Sequence, residues 1–216
     1  MRFDVRVLMY MALCSVSLAT VPLYDVTLKR VNQQRPLDIQ SVFTLSYNPS
    51  YAPVYTSPTE SIDVLFVRSQ NVTKPPYEVG QSVVTASFST SKSGKLEENI
   101  SNIRLSPITN RNVVFEASGP EENYGVEDPR IVYRTKDRTY YMFYSAVEET
   151  PTSLTSRLAL ATTTTPLIKE SWKRHGPVVT NKWSKSGALL LRDDVADSPH
   201  YLIWGDEKLS LQFPMI

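Results

Sequence analysis

A set of short apolar runs recurs along this chain in one order, and that recurrence restricts the fold more than any other feature. One set is Asp128-Pro129-Arg130-Ile131-Val132, then Tyr141–Tyr144, then Arg157–Leu160, then Trp172-Lys173-Arg174. A second runs Ser186–Leu190, Tyr201–Trp204, Lys208–Leu211, and a degenerate earlier one runs Asn48-Pro49-Ser50, Val64–Val67, Val83–Phe88. The runs are rich in β-branched and aromatic residues and bounded by turns, so they read as strands. No long stretch outside the N-terminus keeps the helical spacing of apolar residues. Fifteen prolines against seven glycines, with twelve tyrosines, also argue against a helical bundle, because proline breaks helix interiors. Each set offers three or four antiparallel strands within roughly 50 to 70 residues, the anatomy of a β-propeller blade. The expectation is an all-β propeller, incomplete, with about three blades present. A two-sheet sandwich is the alternative, since it shares short strands and turns; the tyrosine-rich second strand recurring between like neighbours favours the propeller. The last residues, Leu211–Ile216, form an apolar run with no closing segment, which points to a fragment of a longer propeller.

Residues 1–19 read as a secretory signal. Arg2 and Arg6 supply charge, Val7–Leu18 is an apolar core shorter than the roughly 20 residues a membrane span needs, and Ser17-Leu18-Ala19 offers a cleavage site. An uncleaved anchor is the alternative. The expected organisation is signal 1–19, an N-terminal extension or closing segment 20–44, and a partial propeller 45–216. The only cysteine, Cys14, falls within the signal, so the mature chain has neither a disulfide nor a thiol nucleophile. Entry into the secretory path makes Asn71-Val72-Thr73 and Asn99-Ile100-Ser101 glycosylation acceptors at Asn71 and Asn99. A formal charge of +1 offers no bulk attraction for nucleic acid or, beyond the signal, for an anionic membrane. His175 and His200 are too few and too far apart in sequence for a metal site.

One stretch looks built for chemistry. In Asn123-Tyr124-Gly125-Val126-Glu127-Asp128-Pro129-Arg130, two adjacent acids stand at the mouth of a strand. Strand alternation puts Asp128 and Arg130 on one face and Glu127 on the other, and Pro129 favours an extended Asp128. A structural Asp128–Arg130 pair that ties down a loop is the plain alternative.

Gly125-Val126-Glu127-Asp128-Pro129-Arg130-Ile131 resembles the signature of glycoside hydrolase family 130, the mannoside phosphorylases and related hydrolases, whose fold is a five-bladed propeller. Further elements follow in the family's order: Asn48-Pro49, the strand Leu65–Arg68, the blade Tyr141–Ala146 with Arg157–Thr162, and the lysine-bearing strand Lys185–Leu189. The resemblance implies an enzyme acting on β-mannosides or related oligosaccharides with inversion. Asp128 would be the general acid. Arg68, Arg157 and Lys185 would hold inorganic phosphate, the co-substrate and nucleophile; no other cofactor is implied. Asn48, Tyr124, Glu127 and Arg130 would line the sugar site. The chemistry is consistent, since guanidinium forks bind phosphate bidentately and a lysine adds a point charge. Inversion needs acid and nucleophile on opposite sides of the ring. Each cation also has an ordinary reading: Arg68 as a solvated strand end, Arg157 as a surface partner of Glu148 or Glu149, Lys185 as part of a charged loop, and Tyr124 as packing. A secreted glycan-binding propeller without turnover or an inactive fragment, and a mannoside hydrolase, stand as the alternatives.

Overall fold

A computed structural model describes residues 38–39, 43, 45–71, 81–89, 104–107, 113–180, 182–193, 200–205 and 210–211. The signal segment 1–19 and Asn99 lie outside them. The described residues form thirteen strands in three sheets.

The first sheet contains β1 (Asp38–Ile39), β2 (Leu45–Tyr55), β3 (Ser61–Gln70), β4 (Val83–Ser89), β5 (Arg104–Pro107) and β6 (Val113–Phe115). Its order is β1-β5-β4-β3-β2, with β6 also on β4, and β1 runs parallel to β5. The segment expected as an extension thus contributes a strand. The second sheet is an antiparallel meander of β7 (Gly125–Arg134), β8 (Thr139–Thr150), β9 (Ser153–Thr163) and β10 (Lys173–Pro177). The third sheet contains β11 (Lys185–Leu190), β12 (Tyr201–Gly205) and β13 (Ser210–Leu211), again antiparallel.

The second sheet is packed on both faces, which explains its nearly continuous apolar sequences. Alternate residues of one strand serve two cores. Tyr140, Met142, Tyr144 and Ala146 of β8 join Val64, Phe66 and Val84 of the first sheet. Phe143 of β8 and Leu158 of β9 face the other way, against Leu202 and Trp204 of the third. Each fully buried large side chain contributes about 1.5–3 kcal/mol. β2 packs beside β7, and β7 beside β11, so the first strand of each set stands next to its counterpart in the next. Sheets stacked face to face with their leading strands side by side make a run of propeller blades, not a two-layer sandwich.

Those three leading strands share one irregularity. Against β3, β2 passes from Tyr47↔Arg68 to Ser50↔Phe66; against β8, β7 passes from Glu127↔Ser145 to Arg130↔Phe143; against β12, β11 passes from Lys185↔Gly205 to Ala188↔Ile203. Each leading strand therefore spends one residue more than its partner, a β-bulge. The first bulged residue is left-handed in all three: Asn48 at φ 51°, Asp128 at φ 50° and Ser186 at φ 54°. The extended Asp128 and the simple alternation expected from the sequence are both overturned by this bend.

Candidate active site

The bulge turns Glu127 and Asp128 toward the same arginine. Arg68, on β3, donates from Nη2 to Glu127 Oε1 at 2.5 Å and from Nη1 to Asp128 Oδ1 at 3.4 Å. Its reach is fixed from behind. Nε donates to Ser82 Oγ at 3.1 Å, Nη2 meets Gln70 Oε1 at 3.3 Å, and Ser82 Oγ donates to the same Gln70 oxygen at 2.6 Å. The Tyr47 ring lies 4.8 Å from the guanidinium carbon, a cation–π contact. Asn48 crosses from the neighbouring blade and donates from Nδ2 to Asp128 Oδ1 at 2.6 Å.

Both donors to Asp128 use Oδ1, and the one donor to Glu127 uses Oε1. Among the described residues Asp128 Oδ2 and Glu127 Oε2 have no partner. An ionised carboxyl has about four acceptor positions, so half of each group stays available to a ligand. Among the described residues the two acids share one guanidinium. Burial pushes the Glu127 carboxyl above its ordinary range; Arg68 pulls it back, Asp128 pushes it further and Lys185 opposes. Two neighbouring carboxyls, one inclined to keep its proton, suit acid–base chemistry. Burial also raises the Tyr47 phenol, Arg68 opposes it, and Glu127 and then Asp128 add to the rise.

Arg130 does not pair with Asp128. Its Nη1 donates to the carbonyls of Asn48 at 3.5 Å, Pro49 at 3.3 Å and Pro129 at 3.3 Å, tying the bulge of β7 to that of β2. Lys185 is exposed, with its Nζ 4.7 Å from the Trp183 ring centre. Arg157 donates to Glu148 Oε2 at 2.7 Å, with both side chains about a quarter exposed. It sits in the row Val126–Ala146–Arg157, two strands out from β7, so the surface pairing considered from the sequence is the one present. The structure thus brings Asn48, Arg68, Glu127, Asp128 and Arg130 together, sets Lys185 within electrostatic reach of Glu127, and leaves Arg157 with Glu148. Tyr124 is half-buried, and its backbone N–H donates to Val147 O at 3.0 Å. Asn71 is exposed just after β3.

Sequence reading missed the support of Arg68. Gln70 was findable, because it lies on the same strand face two residues on. Ser82 was not, since it arrives from another strand through a long connection. Gly125 also has a specific task. It holds φ 141°, and a Cβ there would sit 2.7 Å from Ser82 N, where Val126 N–H donates to Ser82 O at 3.1 Å. A hollow of about 700 Å³ lies at the other end of these strands, lined by Tyr55, Tyr133, Tyr140, Asp137 and Arg138. It does not include the acid pair.

No family model matches the sequence, and no curated protein does either. Solved structures do match. A β-1,2-mannobiose phosphorylase from Listeria innocua, in complex with β-1,2-mannobiose, aligns with a TM-score of 0.50 at 15% identity, over 77% of this chain and 52% of that one. A structure from the GH130 family of mannoside phosphorylases, from work on glycoside hydrolases that target β-1,2 mannosidic linkages in Candida mannan, aligns with a TM-score of 0.50 at 20% identity, over 76% and 44%. A glycosyl hydrolase from Bacteroides ovatus aligns with a TM-score of 0.49 at 21% identity, over 76% and 44%. The first two establish the fold: it is the one found in GH130 propellers, as the motif order implied. The chain spans about half the length of those structures.

Proposed function

We propose that this chain carries the acid side of a glycan-cleaving centre, acting on β-mannosides or related oligosaccharides with inversion and with inorganic phosphate as nucleophile. The single observation that carries the reading is the half-used acid pair: Asp128 and Glu127 converge on Arg68 at the leading strands and each keeps one oxygen for a ligand. In this reading Asp128 supplies the proton that the leaving glycosidic oxygen takes up as its bond to the anomeric carbon breaks. A phosphate oxygen forms the new bond from the opposite face. Asn48 fixes Asp128 and contacts a sugar hydroxyl. Lys185 offers positive charge to the phosphate, and Arg68 and Arg157 join it only if they leave the carboxylates they now hold. The fold shared with carbohydrate-active enzymes supports a glycan as the partner.

Hydrolysis is the second reading, favoured by a specific observation. Arg68 is already shared by two acids and Arg157 is already paired. A site whose cations are committed to carboxylates suits water better than a phosphate dianion. The full chain incubated with β-1,2-mannobiose, with and without phosphate, separates the two. Mannose 1-phosphate formed only with phosphate supports phosphorolysis, and mannose released equally without it supports hydrolysis. A folded protein that binds mannobiose and releases neither would leave a glycan-binding propeller and overturn the catalytic reading.

A further inference from the structure

The repeated bulge marks a third residue of the site. Asn48, Asp128 and Ser186 occupy the same register position on three adjacent leading strands, and all three are left-handed. Asn and Asp enter that conformation more readily than other side-chain-bearing residues; a serine there costs about 1–2 kcal/mol. Such strain persists where the surroundings enforce it and concentrates at functional positions.

The surroundings of Ser186 do enforce it. Leu158 N–H donates to Ser184 Oγ at 3.0 Å, Ser184 N–H donates to Ser156 O at 3.0 Å, and Ser156 Oγ donates to Ser184 O at 3.2 Å. Gly187, next in sequence, lies so close to β9 that a Cβ would stand 2.6 Å from Leu158 Cδ2. The residues before and after Ser186 are therefore clamped to β9, and the serine itself stays exposed.

Its hydroxyl has no protein partner among the described residues. The contrast with the neighbouring blade is informative. Asn48 reaches across to Asp128 Oδ1 and closes that side of the acid. Ser186 holds the corresponding place on the other side of β7, with a side chain too short to make the same crossing. Among the described residues only Asn48 and Arg68 donate to Asp128, and Lys185, adjacent to Ser186, acts electrostatically on Glu127.

We infer that Ser186 is a substrate-binding residue whose Oγ takes a ring hydroxyl of the sugar seated against Asp128. The inference rests on the reading of the Asp128 centre given above, and the test separates the two. Binding of β-1,2-mannobiose to the full chain is measured by titration calorimetry for wild type, Ser186→Ala and Ser186→Gly, with turnover of wild type and Asp128→Asn followed alongside. Loss of one such hydrogen bond weakens mannobiose binding about three- to tenfold in both serine variants. Ser186→Gly also raises the unfolding midpoint, because glycine is unstrained at φ 54°, so it remains informative if the alanine variant folds poorly. Unchanged affinity in a folded Ser186→Gly protein, with wild type binding and Asp128→Asn inactive, overturns the role of Ser186 alone. Wild type that neither binds nor cleaves mannobiose overturns the Asp128 reading and this inference with it.

Discussion

Glu122 and Asp128 stand on one short segment, both buried, at 3% and 9% exposure, and both receive an arginine from a distant strand. They are spent differently. Glu122, in the 3₁₀ turn Pro120–Glu122, uses both oxygens: Oε1 accepts from Tyr144 Oη at 2.5 Å, and Oε2 accepts from Ser118 N at 2.7 Å and Arg174 Nε at 3.2 Å. Arg174 is held further, donating from Nη2 to Glu116 O at 2.5 Å and lying 4.1 Å from the Phe115 ring centre. Burial, with Glu122 next to it, pushes the Tyr144 phenol far above its ordinary range. Asp128 and Glu127 share their arginine and keep an oxygen each. Burial does not separate these acids; the number of acceptor positions left over among the described residues does.

The largest expected effect tests the open member. Asp128→Asn keeps a side chain that tolerates φ 50° while removing the proton donor, and turnover of mannobiose falls on the order of 10²–10⁴-fold with little change in unfolding temperature. A rate within threefold of wild type breaks the comparison. Glu122→Ala tests the closed member: it strands Tyr144, Arg174 and the Ser118 N–H, and costs about 3 kcal/mol in denaturant unfolding. A loss below about 0.5 kcal/mol, the scale of an ordinary surface change, removes Glu122 as a clasp. Gly125→Ala probes the hinge between the two, where the added methyl meets Ser82 backbone at 2.7 Å; about 1–3 kcal/mol of stability is lost, and turnover falls because Ser82 supports Arg68.

The smallest effect concerns pH. Glu127 is raised in the folded chain, chiefly by burial, so its contribution to stability is full below the ordinary glutamate value of 4.5 and is lost as pH rises through the higher folded value. Glu127→Gln is therefore relatively more stable toward neutral pH than toward pH 4. Parallel stability profiles for the two proteins sharpen the comparison against Glu127.

The strand sets and the blade order were legible because a sheet packed on both faces writes long apolar runs, as in Tyr140–Val147 and Val64–Val67. The quartet Asn48, Arg68, Asp128 and Arg130 was legible as a motif order. Its geometry was not. Period-two reasoning assumes an unbroken ladder, and one extra residue at Asp128-Pro129 was enough to bring Glu127 around to Arg68 and send Arg130 to the carbonyls of β2. The saturation of Glu122 was invisible for another reason: Ser118 is local, but its partners Tyr144 and Arg174 reach it only through the packing of separate strands. Arg157 shows the reverse case, where a nearby glutamate across a hairpin was the simplest reading and is the one found.

The recurring kink in the leading strands has an evolutionary corollary. A backbone already bent alike in successive blades works as a row of sockets, each accepting a different polar plug. In the proposed centre, exchanging amide, acid and hydroxyl among Asn48, Asp128 and Ser186 would change what is offered to a sugar while the bulge that holds each of them stays.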